Sequence, residues 1–399
     1  MTQALEFHTI VSHPNRCMKF SCKTADFLQA LQLVSRAISG QQALPILNSV
    51  LIEVEGKRCT VSATDLELSI VTNFEANIEN EGAITIPAKA ILNFAQYNND
   101  GEVLLETSEG TQLKCTSKHA KTFIAGEASS EFPTISRIEK ETTLTLESAP
   151  LLEALQKVTF ASAKSTLRPV LSGVYVRTEK GKLILVATDS YRLSEYCIEA
   201  DVGEADVSCI IPTKVLEELK MVLGGRKGDK EEEEDGKKKK GQRVSIALSS
   251  QQIEMTVGNT RLLSRLIEGK FPDYQQIIPR DTATKASIAT KELLTVVKRM
   301  HYFAKEINNN LTLTFSTKGV HITTPQTQAG KDETTLDADV SGKENKIALS
   351  SSYLLDFLGH VEDEKIEVHL TDSMHPAVFH LPSNPLSLHL IMPLRIQEE

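Results

Sequence analysis

No apolar run in the 399 residues approaches the ~20 needed to cross a bilayer, so no membrane-spanning helix is expected. The N-terminal stretch has Glu6 and His8 where a secretory signal needs a cationic start and an apolar block. A cytoplasmic address is the expectation. Cysteine is sparse: Cys17, Cys22, Cys59, Cys115, Cys197 and Cys209 form no Cys-x-x-Cys pair. In a chain this large they read as reduced thiols, not as a disulfide framework. There is no phosphate loop; Gly224-Gly-Arg-Lys-Gly-Asp-Lys has the glycines but lacks the Lys-Ser/Thr that would face the phosphates. Neither a G-x-S-x-G elbow nor an H-E-x-x-H zinc motif is present. Positive charge is also short, with a net charge of −9. That opposes a generally basic nucleic-acid binder, but it leaves room for one basic face on an acidic body.

The sequence does contain repeats. Ile86-Pro87-Ala-Lys89-Ala-Ile-Leu matches Ile211-Pro212-Thr-Lys214-Val-Leu, and Leu349-Ser-Ser-Ser-Tyr353-Leu-Leu is a third version without the proline and lysine. Pro87 and Pro212 are expected at the first helical position, where no N–H donor is needed. Ser350 or Ser351 is expected to cap the third helix. Ala63-Thr-Asp65 recurs as Ala187-Thr-Asp189, 124 residues on, and Pro87 recurs 125 residues on as Pro212. Each copy closes on an apolar residue and proline: Phe132-Pro133, Phe271-Pro272 and Met392-Pro393.

Each copy also opens with a one-sided apolar stripe at helical spacing. The stripes are Phe27, Leu31, Val34 and Ile38; Leu151, Leu155 and Val158; and Leu293, Val297 and Met300. Alternating stretches such as Val50–Val54, Leu183–Ala187, Leu311–Phe315 and Leu386–Leu390 read as strands. The fold class is therefore α+β: three tandem units, each with two helices packed on antiparallel sheet. The boundaries expected are an N-terminal extension at 1–17 and domains at 18–140, 141–280 and 281–399. Residues 224–243, GGRKGDKEEEEDGKKKKGQR, contain no apolar side chain and read as a solvated loop inserted in the second unit.

The carboxylates of Asp65, Glu67 and Asp189 follow strands, where catalytic acids often sit. An acid that recurs in a repeat more often serves the repeat, accepting bonds from turn amides. His360, His369, His375, His380 and His389 crowd the C-terminal third, but no cysteine lies near them, and no metal site is expected.

Leu44-Pro-Ile-Leu47, Ala63-Thr-Asp-Leu-Glu67, Ile86-Pro-Ala-Lys89, Arg168-Pro-Val-Leu-Ser-Gly173, Ala187-Thr-Asp-Ser-Tyr-Arg-Leu193, Phe271-Pro-Asp-Tyr274 and Met392-Pro-Leu-Arg395 resemble the bacterial replicative sliding clamps, the beta subunits of DNA polymerase III. The resemblance runs from Met18 to Arg395. It implies a homodimeric ring around duplex DNA that tethers the replicative polymerase and other partners, including a clamp loader, without catalysis or cofactor. Helices would line a basic hole and sheets an acidic exterior, with few contacts, all to phosphates.

Carried over by position, Lys89, Gln41, Ser165, Arg168, Lys164 and Lys298 are DNA-contact candidates. Pro169 and Val170 stand where some members place tyrosines that touch DNA. A partner pocket between the second and third units would use Leu171, Thr188, Arg192, Leu193, Pro272, Ile277, Tyr353, Met374, Met392, Pro393, Leu394 and Arg395. Such walls suit the Leu and Phe anchors of a short peptide of the Gln-Leu-x-Leu-Phe type, and methionine suits a pocket with many partners. Ser190 and Tyr191 stand where many members have glycine and histidine. The dimer interface would join Phe303 and Ile307 to Phe123 and Ile124. Two other readings remain at this point: a metal-dependent nuclease with Mg²⁺ on Asp65, Glu67 and Asp189, and a monomeric repeat scaffold.

Overall fold

The computed structural model describes residues 17–38, 40, 44–108, 111–135, 137–165, 167–200, 206–225 and 242–396. Gln41, most of the N-terminal extension and the insert between 226 and 241 lie outside the described residues. Six α-helices occur among those described: α1 (Thr24–Val34), α2 (Ala88–Gln96), α3 (Ser148–Val158), α4 (Thr213–Gly225), α5 (Thr290–Ala304) and α6 (Ser351–Leu358). They pack as three pairs, α1 with α2, α3 with α4 and α5 with α6. The first helix of each pair buries the same pattern: Phe27, Ala30, Leu31 and Val34; Leu151, Ala154, Leu155 and Val158; Leu293, Val296, Val297 and Met300. Residues at i, i+3, i+4 and i+7 share one face at 3.6 residues per turn. Burying each large side chain of the stripe contributes about 1.5–3 kcal/mol.

The chain divides into two compact units, 1–139 with 254–264, and 140–253 with 265–399. The first unit holds an antiparallel sheet in the order Asn77–Asn80, Lys19–Lys23, Glu102–Thr107, Gln112–Thr116, Lys121–Ala125. It also holds a second antiparallel run, Thr260–Arg265, Leu68–Glu75, Arg58–Thr64, Ser49–Glu55, Gly82–Pro87. A strand from the second repeat thus pairs with Leu68–Glu75 of the first.

In the second unit, nine antiparallel strands run in the order Ser208–Pro212, Gly173–Glu179, Lys182–Thr188, Arg192–Glu199, Asn384–Ile391, Ala377–Leu381, Lys365–Leu370, Thr284–Ala289, Ala338–Gly342. The central pairing of Arg192–Glu195 with Leu388–Ile391 joins second and third repeats in one sheet. A four-stranded sheet, Glu333–Leu336, Gly319–Thr323, Asn310–Ser316, Asn345–Ser350, completes the third repeat.

Three local expectations need correction. Pro87 and Pro212 end strands, and the helices begin one residue later, at Ala88 and Thr213. Pro87 is the N-cap with ψ 118°, an extended conformation that its ring permits. Ile38 lies beyond α1, because a short 3₁₀ turn, Ser35–Ala37, ends that helix. The insert is shorter than its composition suggests: α4 runs to Gly225 and the next strand starts at Arg243. Ser350 does cap α6, its Oγ accepting from the Tyr353 N–H at 3.4 Å.

Candidate functional site

The site is built on the hairpin between Lys182–Thr188 and Arg192–Glu199. Asp189 Oδ1 accepts from the backbone N–H groups of Tyr191 (2.9 Å) and Arg192 (3.0 Å). Thr188 Oγ1 accepts from the Ser190 N–H at 3.1 Å and donates to the Arg192 carbonyl at 2.6 Å. These bonds hold Ser190 at φ 80°, the left-handed region where glycine is free of strain. The first repeat makes the same turn. Asp65 Oδ1 accepts from Glu67 N–H (3.1 Å) and Leu68 N–H (2.8 Å), Thr64 Oγ1 accepts from Leu66 N–H (3.0 Å), and Leu66 sits at φ 74°. The two aspartates are turn acceptors, and among the described residues no group of three or more His, Cys, Asp or Glu is gathered as a metal would need.

Arg192 is 4% exposed and fully engaged within the protein. Its Nε donates to Asp189 Oδ2 at 3.0 Å and its Nη1 to Asp356 Oδ2 on α6 at 2.7 Å. The guanidinium also lies over Tyr353 (4.6 Å to the ring centroid) and Phe160 (5.6 Å). It ties the second-repeat hairpin to the third-repeat helix, whereas the sequence placed it as a peptide contact. Thr188 is likewise buried and used within its turn.

Leu171, Leu193, Val378 and Leu390 belong to one buried cluster with Phe271 and Tyr274, and Met392 packs against it. Leu171 is delivered by the Pro169–Leu171 turn, closed by its N–H donating to Arg168 O at 2.9 Å. The C-terminal segment is held by two backbone bonds, Met392 N–H to Tyr191 O (2.8 Å) and Leu394 N–H to Ala348 O (2.7 Å). Asn310 Nδ2 donates to the Arg395 carbonyl at 3.0 Å.

The loop carrying Pro272 and Ile277 is pinned by Tyr274. Its hydroxyl donates to Glu195 and accepts from Arg177 Nη2 at 3.2 Å. Burial raises the Glu195 carboxyl above its usual range, and burial and the Glu195 bond raise the Tyr274 phenol. Met374 stands in a turn whose amides donate to Asp372 Oδ1, and it is 80% exposed.

The twelve positions thus separate physically. Leu171 and Leu193 are buried in the core, Thr188 and Arg192 are internal framework, and Tyr353, Met392, Pro393 and Leu394 are half-buried. Pro272, Ile277, Met374 and Arg395 are exposed. Sequence reasoning missed Phe160 and Asp356, which fix Arg192, and Leu167, which is exposed beside Arg168. Asp356 is separated from Arg192 by 164 positions, so spacing gave no signal for that pair.

Among the DNA-contact candidates, Lys89 on α2, Lys298 on α5, and Lys164, Ser165 and Arg168 in the loop after α3 are all exposed. Arg168 Nη1 donates to Ser190 Oγ at 3.2 Å. The six helices carry seven Lys or Arg and six Asp or Glu, so they are close to neutral, not strongly basic. Several of these cations are engaged: Lys220 with Glu217 (2.6 Å), Arg299 with Asp332 (2.8 Å), and Lys157 with the His360 carbonyl (2.5 Å).

Of the two interface candidates in the first unit, Phe123 is 51% exposed and Ile124 only 7%. Neighbours on a strand point to opposite faces, so Ile124 belongs to the core and only Phe123 faces out. Phe303 and Ile307 are half-buried, and Tyr302, packed edge-on to Phe303, is exposed.

Comparison with known proteins agrees along the whole described chain. Family models for the DNA polymerase III beta subunit match its N-terminal domain at residues 18–136, its central domain at 145–273 and its C-terminal domain at 275–395. The beta sliding clamp of Synechocystis is 29% identical over 402 residues, spanning 95% of this chain and 100% of the relative. That of Staphylococcus aureus is 27% identical over 388 residues, spanning 95% and 99%. The crystal structure of the DNA polymerase sliding clamp from Bacillus subtilis superposes with a TM-score of 0.88 at 26% identity, covering 96% of this chain and 100% of that one. The Bartonella birtlesii sliding clamp, solved bound to griselimycin, gives 0.87 at 28% identity, covering 96% and 100%. With three consecutive domain matches laid over three copies of one helix-pair unit, the chain belongs to the DNA polymerase III beta-subunit family, the sliding clamps.

Proposed function

We propose that two copies of this chain close into a ring around duplex DNA and tether the replicative polymerase to it during chromosomal replication in the cytoplasm. The observation that carries this reading is the run of three clamp-domain matches from 18 to 395, each on its own helix pair. The chain itself does no chemistry. A ring holds DNA by topology, so a few exposed cations such as Lys89, Lys164, Arg168 and Lys298 suffice, directed at phosphates without regard to sequence. Near-neutral helices favour sliding, because tight phosphate contacts resist it.

Closure is supported by two sheet edges. Lys121–Ala125 ends the five-stranded sheet and Glu333–Leu336 ends the four-stranded one. An open edge with an exposed phenylalanine is a place for another chain to pair. Phe303, Tyr302 and Ile307 sit at the end of α5, which is bonded to the second edge through Arg299, Asp332 and Thr334. Partner proteins, the polymerase and a clamp loader among them, would dock short peptides on the Leu171–Leu193–Met392 floor.

The test is loading onto nicked circular DNA with a clamp loader, followed by linearisation. Protein retained on circles and lost on linear DNA supports the ring. Retention on linear DNA with free ends would overturn it.

A further inference from the structure

The second compact unit holds a cleft of about 840 Å³, and every residue lining it belongs to that unit. The volume lies within the roughly 300–1,000 Å³ of ligand sites. One wall is residues 208–210 of the strand Ser208–Pro212, which ends the nine-stranded sheet. The turn at 248–251 and the loop at 266–275 form the others. Turn and loop are joined by the Leu266 N–H, which donates to the Gln251 carbonyl at 2.8 Å.

The strand edge is only half covered. Ile210 turns its C=O outward, to the Ile267 N–H at 2.9 Å. Bonding direction alternates along an antiparallel strand, so Ser208, two residues earlier, turns its N–H and C=O outward as well. Among the described residues, neither group has a hydrogen-bond partner within the protein. Protected edges carry a lysine, a bulge or a covering element. Ser-Cys-Ile-Ile-Pro has no charged residue, and its pairing with Gly173–Glu179 is unbroken. Beside Ser208 stands an aromatic wall. Tyr175 stacks on Phe271 at 5.0 Å between centroids, and Phe271 meets Tyr274 edge-on at 6.4 Å. The Tyr175 hydroxyl lies 3.1 Å from Ser208 Oγ. The rim is acidic: Glu141, Asp206, Glu268 and Asp273 are exposed, and none is in an ion pair among the described residues. Against them stand Lys270 and Arg177, and Arg177 is already bonded to Glu179 and Tyr274.

We propose that this cleft takes a short, extended, basic segment of a partner protein, which adds as a strand to the edge at Ser208. Main-chain bonds to Ser208 hold the segment, and the carboxylate rim selects lysine and arginine. Successive side chains of an extended segment face opposite ways. Alternating apolar and cationic residues would thus set one row against the aromatic wall and the other along the rim. Of the twelve partner-pocket positions, only Pro272 also lines this cleft. The proposal does not depend on the pocket reading.

The probe is the peptide Arg-Val-Lys-Val-Arg-Val, titrated by calorimetry into the full-length chain, with Glu-Val-Glu-Val-Glu-Val as the control. The basic peptide should bind about tenfold more tightly or better. Asp206→Lys with Glu268→Lys should weaken it by about tenfold, and both side chains are exposed, so the fold is kept. Ser208→Pro removes the outward N–H without touching the pairing with Gly173–Glu179 and should weaken binding about fivefold. Ser208→Ala keeps the amide and should match the parent. Unchanged affinity in both the charge variant and Ser208→Pro would overturn the proposal. Equal loss in Ser208→Ala and Ser208→Pro would put the contact on the side chain and overturn the strand addition. A Leu171→Ala, Met392→Ala chain should bind the probe like the parent. If it loses the probe as the charge variant does, the probe sits in the partner pocket and the cleft proposal falls.

Discussion

Replacing Arg192 tests whether this side chain is framework or ligand contact. The guanidinium is 4% exposed and makes two charge-assisted hydrogen bonds, to Asp189 and Asp356. Each such bond contributes about 1.5–3 kcal/mol when both partners are desolvated. Both carboxylates retain compensation, however. Asp189 keeps the amides of Tyr191 and Arg192, and Asp356, with its side chain 44% exposed, regains water. The loss therefore falls below the 3–5 kcal/mol typical of stranding a buried charge.

Arg192→Met keeps most of the contact with Phe160 and Tyr353 and should cost about 2 kcal/mol. Arg192→Ala also opens a cavity between those rings and should cost about 3–4 kcal/mol. In a unit of this size each kcal/mol moves the melting temperature by about 2–4 °C, so the alanine variant should melt about 6–16 °C lower by calorimetry. Asp356→Asn should cost about 1 kcal/mol or less, because its side chain is half in water. A coupling of about 1–2 kcal/mol in the Arg192→Met, Asp356→Asn cycle would locate the energy in the pair. Peptide affinity should fall in Arg192→Ala only in step with stability. If Arg192→Ala melts within 1 °C of the parent yet loses peptide binding, the framework reading is wrong and Arg192 is a ligand contact.

Phe303→Asp should convert dimers to monomers in sedimentation velocity at low micromolar concentration, since it places a charge at the end of α5 where closure is proposed. Leu66→Gly should raise stability by about 0.5–1 kcal/mol in urea unfolding, because a bulky residue at φ 74° is strained and that relief exceeds the added freedom of the unfolded chain. Ser190→Gly should gain less, as it also loses the Arg168 bond. His389 is buried, bonded to Ser194 Oγ at 2.6 Å, and held neutral well below its usual range by burial, with Arg192 and His360 adding repulsion. Only the unfolded chain takes up that proton, so its contribution is intact above about pH 6.5 and is lost as pH falls, at about 1.4 kcal/mol per unit. His389→Gln should flatten the stability profile between pH 6.5 and 5.5 by about 1 kcal/mol, since the unfolded imidazole is already half protonated at pH 6.5.

Much of this was legible because it is local. The three helical stripes follow from 3.6-residue spacing, and the aspartate turns follow from a short acceptor beside free amides. Ile124, assigned from the sequence to the interface beside Phe123, is instead buried, although the alternation of Lys121-Thr-Phe-Ile-Ala125 already sends the two to opposite faces. What the sequence hid is long-range. Nothing near Thr260–Arg265 signals that it pairs with Leu68–Glu75, nearly two hundred positions earlier. Nor does anything near Arg192 reveal Asp356. An arginine followed by leucine in a strand reads as outward-facing until the helix that buries it is placed.

The two complete Thr-Asp turns locate the functional divergence. At the position whose amide donates to the aspartate, the first repeat has Leu68, buried in the core, and the second has Arg192. Ahead of the proline turn the first repeat has Leu44, and the second has Arg168. At the left-handed residue the pair is Leu66 and Ser190. In the second repeat Arg168 and Ser190 are bonded to each other, while Leu44 and Leu66 of the first are exposed leucines. The backbone device is the same in both, so the bonds that make it serve the repeat. The substitutions made on it are what differ, and in the second repeat they fall on the segments that tie α6 and the C-terminal strand to the buried cluster of Leu171 and Leu193. An aspartate repeated in both copies makes the turn; the arginine that replaces a leucine ties the second repeat to α6.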